Sequence, residues 1–486
     1  MKQQVAFGEW APDASTLDSD VLTIARNVLP AVTSYQPFPR LADYSTGVLI
    51  GSRGLTMARL SDGTFGAFAG NPTKLYKFNP ATLAWTDVSR VAGGNYALSN
   101  EERWDFAQFG TQLIAVHIAD DPQAINVDTG TNFAALGGSP PKARYVTVIG
   151  DFVVLGALTG DETTVRWSGI NDATSWTVGT NLADFQTFPD GGRITGVVGG
   201  EVGYVLQEGA IRRMRFIPGS DYVFSFEAVE KRKGCVSPYG WANVAGTVFY
   251  VAEDGFYSIG PAGMQPIGAQ RVNTWFRTNT DQARVALIRA VADPVAPRIY
   301  WWCYSNGNAN AYDLAVIYDW SLNKWTYATV EVQDVAALGT APTTLDALDG
   351  WANLDALPFS LDSRVWEGGR PVLAAIKPNG RVAFFSGPNA PALMRTGERH
   401  FAAGGRAYVR GITPMIDTAD VTISMRVRER LQDAPRNVGP ASIGETGMAS
   451  IRASGRTHQV DVAVGEGAVW SHTQGYEVDF ETQGAR

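Results

Sequence analysis

Ala245-Gly-Thr-Val-Phe-Tyr-Val-Ala-Glu-Asp-Gly-Phe-Tyr-Ser-Ile259 decides the fold class. Val248, Tyr250 and Ala252 fall at a period of two, as a half-buried strand requires. Glu253-Asp254-Gly255 then reads as the turn of a hairpin, its Asp-Gly pair supplying the positive φ of a tight reversal. The same grammar returns along the chain in Phe65–Trp85, Trp104–Phe133, Arg144–Trp176, Ile194–Phe216 and Ile299–Trp325. The spacing is about 40–50 residues, that of architectures built from one β-propeller blade per repeat. A blade cannot bury both faces alone, so several must stack around an axis.

Working outward, Arg298–Tyr304 and Leu314–Trp320 form another strand pair, with Ser-Asn-Gly-Asn-Ala-Asn as the loop between them. Asp319-Trp-Ser-Leu-Asn-Lys-Trp325 resembles Asn79-Pro-Ala-Thr-Leu-Ala-Trp85, each placing a turn before a tryptophan at the outer side of a blade. Six blades are expected over residues 46–330, and residues 370–388 are a candidate seventh. The predicted fold is therefore all-β: a propeller of six or seven blades with additions at both ends.

The N-terminal arm, 1–45, breaks the period. Leu17, Val21, Leu22 and Ala25 suit a short helical stretch, and Pro30, Pro37 and Pro39 hold the next residues extended. The arm reads as a strand on the domain edge, or else as an arm across a neighbouring subunit. Residues 331–392 form a linker with the candidate closing blade. Leu-Asp pairs at 345–346, 348–349, 354–355 and 361–362 read as a solvated loop in preference to a cation site, because the glycine and closing Glu of a calcium loop are missing. Residues 393–486 form a second module. Val421, Ile423, Met425 and Val427 alternate with Thr422, Ser424, Arg426 and Arg428, a two-faced strand that, with Val460/Val462/Val464, points to an antiparallel sandwich.

Composition narrows the function class. The chain has 486 residues, of which 11% are aromatic, 18% charged and 52 are glycine, with a net charge of −8. An acidic balance opposes phosphate binding, so a nucleic-acid reader is disfavoured. Cys235 and Cys303 are too few for a disulfide framework and read as reduced core thiols of a cytosolic protein. No signal-peptide pattern opens the sequence, and no apolar run has the length of a membrane helix.

The search for chemistry yields no catalytic, cofactor or metal residue. His117, His400, His458 and His472 show no ligand spacing, and neither a nucleophile elbow nor a phosphate loop is present. Ser61-Asp62-Gly63-Thr64-Phe65 reads as a hairpin turn. Glu101-Glu102-Arg103-Trp104-Asp105 is the nearest approach to a carboxylate pair and reads as a blade entrance with solvated charges. Arg212-Arg213-Met214-Arg215 reads as a strand face or subunit contact in preference to a DNA patch. In the C-terminal module, Arg406, Arg410, Arg426, Arg428, Arg452 and Arg456, with Trp470, are candidates for docking an acidic neighbour, weighed against ordinary surface charge.

Several segments carry a family resemblance: Phe7–Asp13, Ala25–Pro30, Tyr35–Pro39, Trp104–Gly110, Trp167–Asp172 through Trp176, Asp184–Gln186, Gly255–Tyr257, Ser454–His458 and Trp470–Gly475. Together they resemble the tail nozzle or hub proteins of short-tailed bacteriophages, which include the packaged-DNA-stabilisation tail accessory factors and tail tubular protein B. The resemblance implies a non-enzymatic virion protein, assembled in the host cytoplasm into a homo-hexameric ring below the portal and adaptor. Such a ring continues the DNA channel without reading sequence, helps retain packaged DNA, and anchors fibres or spikes. The arm and the C-terminal module would form its platform. The alternatives are a polysaccharide-degrading propeller, a depolymerase or lyase, and a protein-binding propeller.

Overall fold

The computed structural model describes residues 1–80, 82–99, 101–220, 222–308, 310–339, 353, 370–402 and 405–484. Strands dominate, and the one α-helix among the described residues is Asn273–Asn279. Five consecutive stretches each fold into a four-stranded antiparallel meander: Leu55–Asp87, Asp105–Ala135, Ala143–Thr187, Ile194–Glu230 and Trp241–Pro266. A sixth meander, Arg289–Val332, is part of a nine-stranded sheet. The last four-stranded sheet takes Asp334–Gly339, Pro371–Ile376 and Val382–Asn389 from one stretch of chain and Pro39–Asp43 from the N-terminal arm.

The turns explain the strand spacing. Asn79 faces Ala84 and Phe78 faces Trp85, just as Asp319 faces Lys324 and Tyr318 faces Trp325. Leu83 and Asn323 hold the same place in these two hairpins, with φ of 51° and 52°. In the hairpin around residue 254, Ala252 faces Gly255, so the turn proper is Glu253-Asp254 and Gly255 already belongs to the next strand. Its φ of +141° is what excludes a side chain there.

Each sheet packs face to face on the next. Phe68 and Leu113 join the first to the second, Ile114 and Leu155 the second to the third, Val154 and Val205 the third to the fourth. Leu206 and Val248 join the fourth to the fifth, Val251 and Trp301 the fifth to the sixth, and Trp302 and Val335 the sixth to the last. Leu338 and Ala69 bring the last back to the first. This is a propeller-type arrangement. Strands between two sheets are buried on both faces, which is why Phe152–Leu158 is apolar at every position rather than alternating.

The chain ends form the rest. Leu22–Arg26 lies between Lys324–Val332, parallel to it, and Ala392–Thr396, antiparallel to it. It thereby joins the sixth meander to Thr457–Val464, Val421–Arg428 and Arg436–Ser442 in one nine-stranded sheet. The second chain-end sheet pairs Arg406–Ile416 with Thr473–Gln483, flanked by Lys2–Ala6, Val28–Pro30, Tyr35–Pro37 and Ala453–Gly455. The two share one core, to which the first contributes Ile423, Met425 and Val462 and the second Val409, Ile412 and Val478. Strand Val421–Arg428 buries every second residue, as its alternation predicts.

One expectation is corrected. The helical stretch around Leu17–Ala25 is instead the strand Leu22–Arg26, because partners on both sides satisfy its backbone and override a four-residue coincidence of helical spacing. The strands of the arm pair within their own chain, in keeping with the reading of the arm as a strand packed on the domain edge. The Leu-Asp pairs fall outside the described residues.

Asn27 holds this junction. It is buried at φ 58°. Its Oδ1 accepts the Thr329 N–H at 2.7 Å and its Nδ2 donates to the Pro391 carbonyl at 2.9 Å. Asn27→Ala orphans both groups and puts a Cβ-bearing apolar residue in the left-handed region. We expect a loss of about 2–4 kcal/mol in denaturant-induced unfolding.

Candidate functional site at the axis

Side chains that meet although they belong to different sheets mark the axis of the arrangement. Asp334, which opens the last sheet, is fully buried. It accepts from the Ser52 hydroxyl at 3.1 Å and the Gly54 N–H at 3.0 Å, just ahead of the first sheet. From just ahead of the second sheet Arg103 reaches it at 2.5 Å, and from the sixth Arg289 stands at 3.8 Å. Tyr239, ahead of the fifth sheet, lies under the Arg103 guanidinium at 5.6 Å and beside Tyr145 of the third at 6.0 Å. On the rim, Arg144 bridges Glu102 at 3.2 Å and Glu162 at 3.1 Å.

The charges are arranged as a lock. Burial by itself pushes the Asp334 carboxyl up, but Arg103 and Arg289 outweigh it and hold the group below the usual carboxylate range. Burial likewise lowers Arg103, and Asp334 more than restores it. Arg289 is lowered, by burial first and by the Arg103 charge second. Asp105 behaves oppositely. Burial raises its carboxyl to about 6, although the Val146 N–H donates to it at 2.9 Å.

A carboxyl near 6 beside arginines and tyrosines has the ingredients of acid–base chemistry. Space decides against a saccharide here. The cavity beside the cluster, lined by Glu102, Arg103, Arg144, Tyr145 and Tyr239, has about 30 Å³, room for a single water. The Glu101–Asp105 stretch is thus not a solvated entrance throughout: Arg103 is buried and ion-paired, while Glu101 is exposed.

The structure disperses the candidate docking residues. Arg406 pairs with Glu429 at 2.7 Å, Arg410 with Glu481, and Arg428 with Glu398 through Nε at 2.8 Å and Nη2 at 2.5 Å. Arg426 is half-buried and Arg452 exposed, and neither makes an ion pair among the described residues. Arg456 is exposed. Trp470 is a correction: it lies in the core at 4% exposure and is not part of a docking surface. Apolar packing of both chain-end sheets claims it.

Other motifs resolve structurally. Asp62 accepts from the Thr64 N–H and hydroxyl and Gly63 takes φ +86°, a hairpin turn. Arg212 is buried against Phe188 and bonded to Asp190 and Gln207, so only Arg213 and Arg215 of that run are even partly open to solvent. Cys235 and Cys303 are free and buried, in separate cores, and burial pushes the Cys235 thiol up to about 12. Sequence reading missed one constellation, Asp417–Ser471–His472. The Ser471 hydroxyl donates to Asp417 at 2.5 Å and lies 2.9 Å from His472 Nδ1. Serine bonds the carboxylate directly instead of through the imidazole, so this is a turn clasp and not a nucleophile triad. No group of three or more His, Cys, Asp or Glu among the described residues is placed to hold a metal ion.

No family model and no curated protein matches the chain. Among solved structures it is similar to the computationally designed Ika8 protein, with 12% identity, a TM-score of 0.40, and 79% of this chain and 99% of that one covered. A BBS1N structure in complex with ARL6DN gives 11%, 0.39, 71% and 97%. YCF48 bound to D1 peptide gives 9%, 0.38, 74% and 96%. Likenesses this partial say nothing of function.

Two outcomes test the lock. Asp334→Ala leaves Arg103 and Arg289 uncompensated, and we expect unfolding free energy to fall by about 3–5 kcal/mol. Asp105 has a folded pKa above its unfolded one, so its ionisation weighs on the fold above pH 6 and ceases to do so near pH 4. Asp105→Asn should therefore be more stable than wild type at pH 7, with the difference closing as pH falls from 6 to 4 in thermal melts.

Proposed function

We propose that this chain is a structural, non-enzymatic subunit of the tail nozzle or hub of a short-tailed phage. The observation that carries the reading is mechanical. Both chain ends are woven into two sheets, and one of these is continuous with a sheet of the ring. Such continuity carries load from the chain-end strands to the ring through hydrogen-bonded backbone. The resembling segments supply the joints: Trp10 packs on Trp275 at 4.7 Å and Tyr327 at 5.0 Å, Asn27 bonds across the junction, and the Tyr35 hydroxyl donates to the Gly8 carbonyl at 2.7 Å.

In this reading the ring is a seven-bladed propeller, closed by Pro39–Asp43, and the chain-end sheets are a β-sandwich platform. Copies assemble as a homo-hexamer below the portal and adaptor, with DNA passing between subunits, because the axis of each propeller is filled by Arg103 and Asp334. Heterologous contacts that close make such a ring. Fibres or spikes attach to it, and the virion tail is its location.

Purified protein mixed with adaptor complex should shift to a larger assembly in native mass measurement, and particles lacking it should lose DNA and infectivity. Particles that keep both without it would refute the proposal. Release of oligosaccharide from a host glycan by the isolated protein would favour the depolymerase reading instead.

A further inference from the structure

His458 occupies a place that the sheet pattern reserves for an aliphatic residue. Strand Thr457–Val464 sends Val460, Val462 and Val464 into the core between the two chain-end sheets, opposite Met425, Ile423 and Val421. The next inward position is His458, opposite Val427. Its side chain is 0% exposed, and neither ring nitrogen has a hydrogen-bond partner. Phe401 covers the ring at 5.1 Å and itself packs on Phe480 of the opposite sheet at 5.5 Å. His458 therefore sits at the joint, one aromatic ring away from the facing sheet.

The surroundings admit a neutral imidazole and oppose a charged one. A cation buried without an acceptor is far costlier than a neutral polar group. The charged groups on the elements around it are Glu398, Arg399 and His400 on the neighbouring segment, Arg395 on Ala392–Thr396, Arg426 and Arg428 on Val421–Arg428, Asp461 on its own strand, and Arg406, Arg410 and Glu481 on the facing sheet. The carboxylates among them are engaged: Glu398 by Arg428, Asp461 by Arg395 and Glu481 by Arg410. Beyond these, Asp20 is held by Arg399, Asp18 by His400 and Glu429 by Arg406.

We infer that His458 makes the joint between the two chain-end sheets acid-labile: protonation of its imidazole parts the Phe401 contact and opens the joint while the ring of sheets stays folded. Burial lowers the imidazole to about 4, with the backbone at Ala407 and Arg399, close by but outside hydrogen-bond geometry, offsetting part of the effect. Because the folded value lies below the unfolded one, the stability that this neutral histidine permits is present above about pH 6.5 and is lost as pH falls from there towards 4.

Hydrogen exchange on the full-length protein reads this directly. Between pH 7.5 and pH 5, after correction for intrinsic rates, opening at the amides of 457–464 and 406–416 should rise roughly thirtyfold, the factor for a group that titrates near 6.5 only when the joint is open. Amides of 152–158 in the ring should show no comparable rise. His458→Leu should flatten the dependence. An equal rise in wild type and variant, or an equal rise in the ring, overturns the inference. Should His458→Leu not fold, an NMR titration of the wild-type imidazole decides: a midpoint well below 6.5 supports the inference, and one at or above 6.5 overturns it.

Discussion

A circle of antiparallel sheets has to end somewhere, and its ends are open strand edges. Here the last sheet draws three strands from residues 334–389 and its fourth, Pro39–Asp43, from the arm. The backbone pairing Phe384 with Ala42 and Phe385 with Leu41 ties the chain's first segment to one of its last. Closing so long a loop costs little more entropy than closing a short one, because the cost grows only with the logarithm of length. What it gains is cover for the Val382–Asn389 edge; Pro39–Asp43 becomes the edge in its place, with a proline, which cannot donate to a further strand, at its start.

The same device recurs at Leu22–Arg26, which fills the gap between the sixth meander and the chain-end strands. These two insertions make the arm a mortise rather than a tether. The Arg103–Asp334 pair works differently. A buried ion pair adds little net stability over well-packed apolar residues, but its geometry is satisfied in one alignment of sheets only. Ser52 and Gly54 ahead of the first sheet, Arg103 ahead of the second and Arg289 at the start of the sixth converge on one carboxylate, so this contact ties together three separate parts of the ring and the last sheet, whose faces the apolar clusters pack.

The six meanders were legible because each carries its own turn chemistry and strand period; the matching turns at Asn79 and Asp319 are the clearest case. The closing strand was not legible. Pro39–Asp43 has no alternation and no neighbouring partner, and only long-range pairing defines it. Arg103 and Asp334 are separated by 231 residues, so no local pattern joins them. Trp470 looked like an interface residue because composition alone cannot tell a buried indole from an exposed one. The helical spacing at Leu17–Ala25 was genuine, but short propensity signals yield to two waiting strand partners.

On the function proposed above, a ring of sheets joined to two sheets woven from both ends of the chain is a load-carrying part of a particle. The most direct measurement is a cryo-EM reconstruction of a short-tailed phage tail assembled in the presence of this protein. The account predicts copies of the ring-and-platform body set around the DNA path below the adaptor, each with its own propeller axis filled. Density with DNA threading the axis of a single chain, or a tail in which this body is absent, would contradict it.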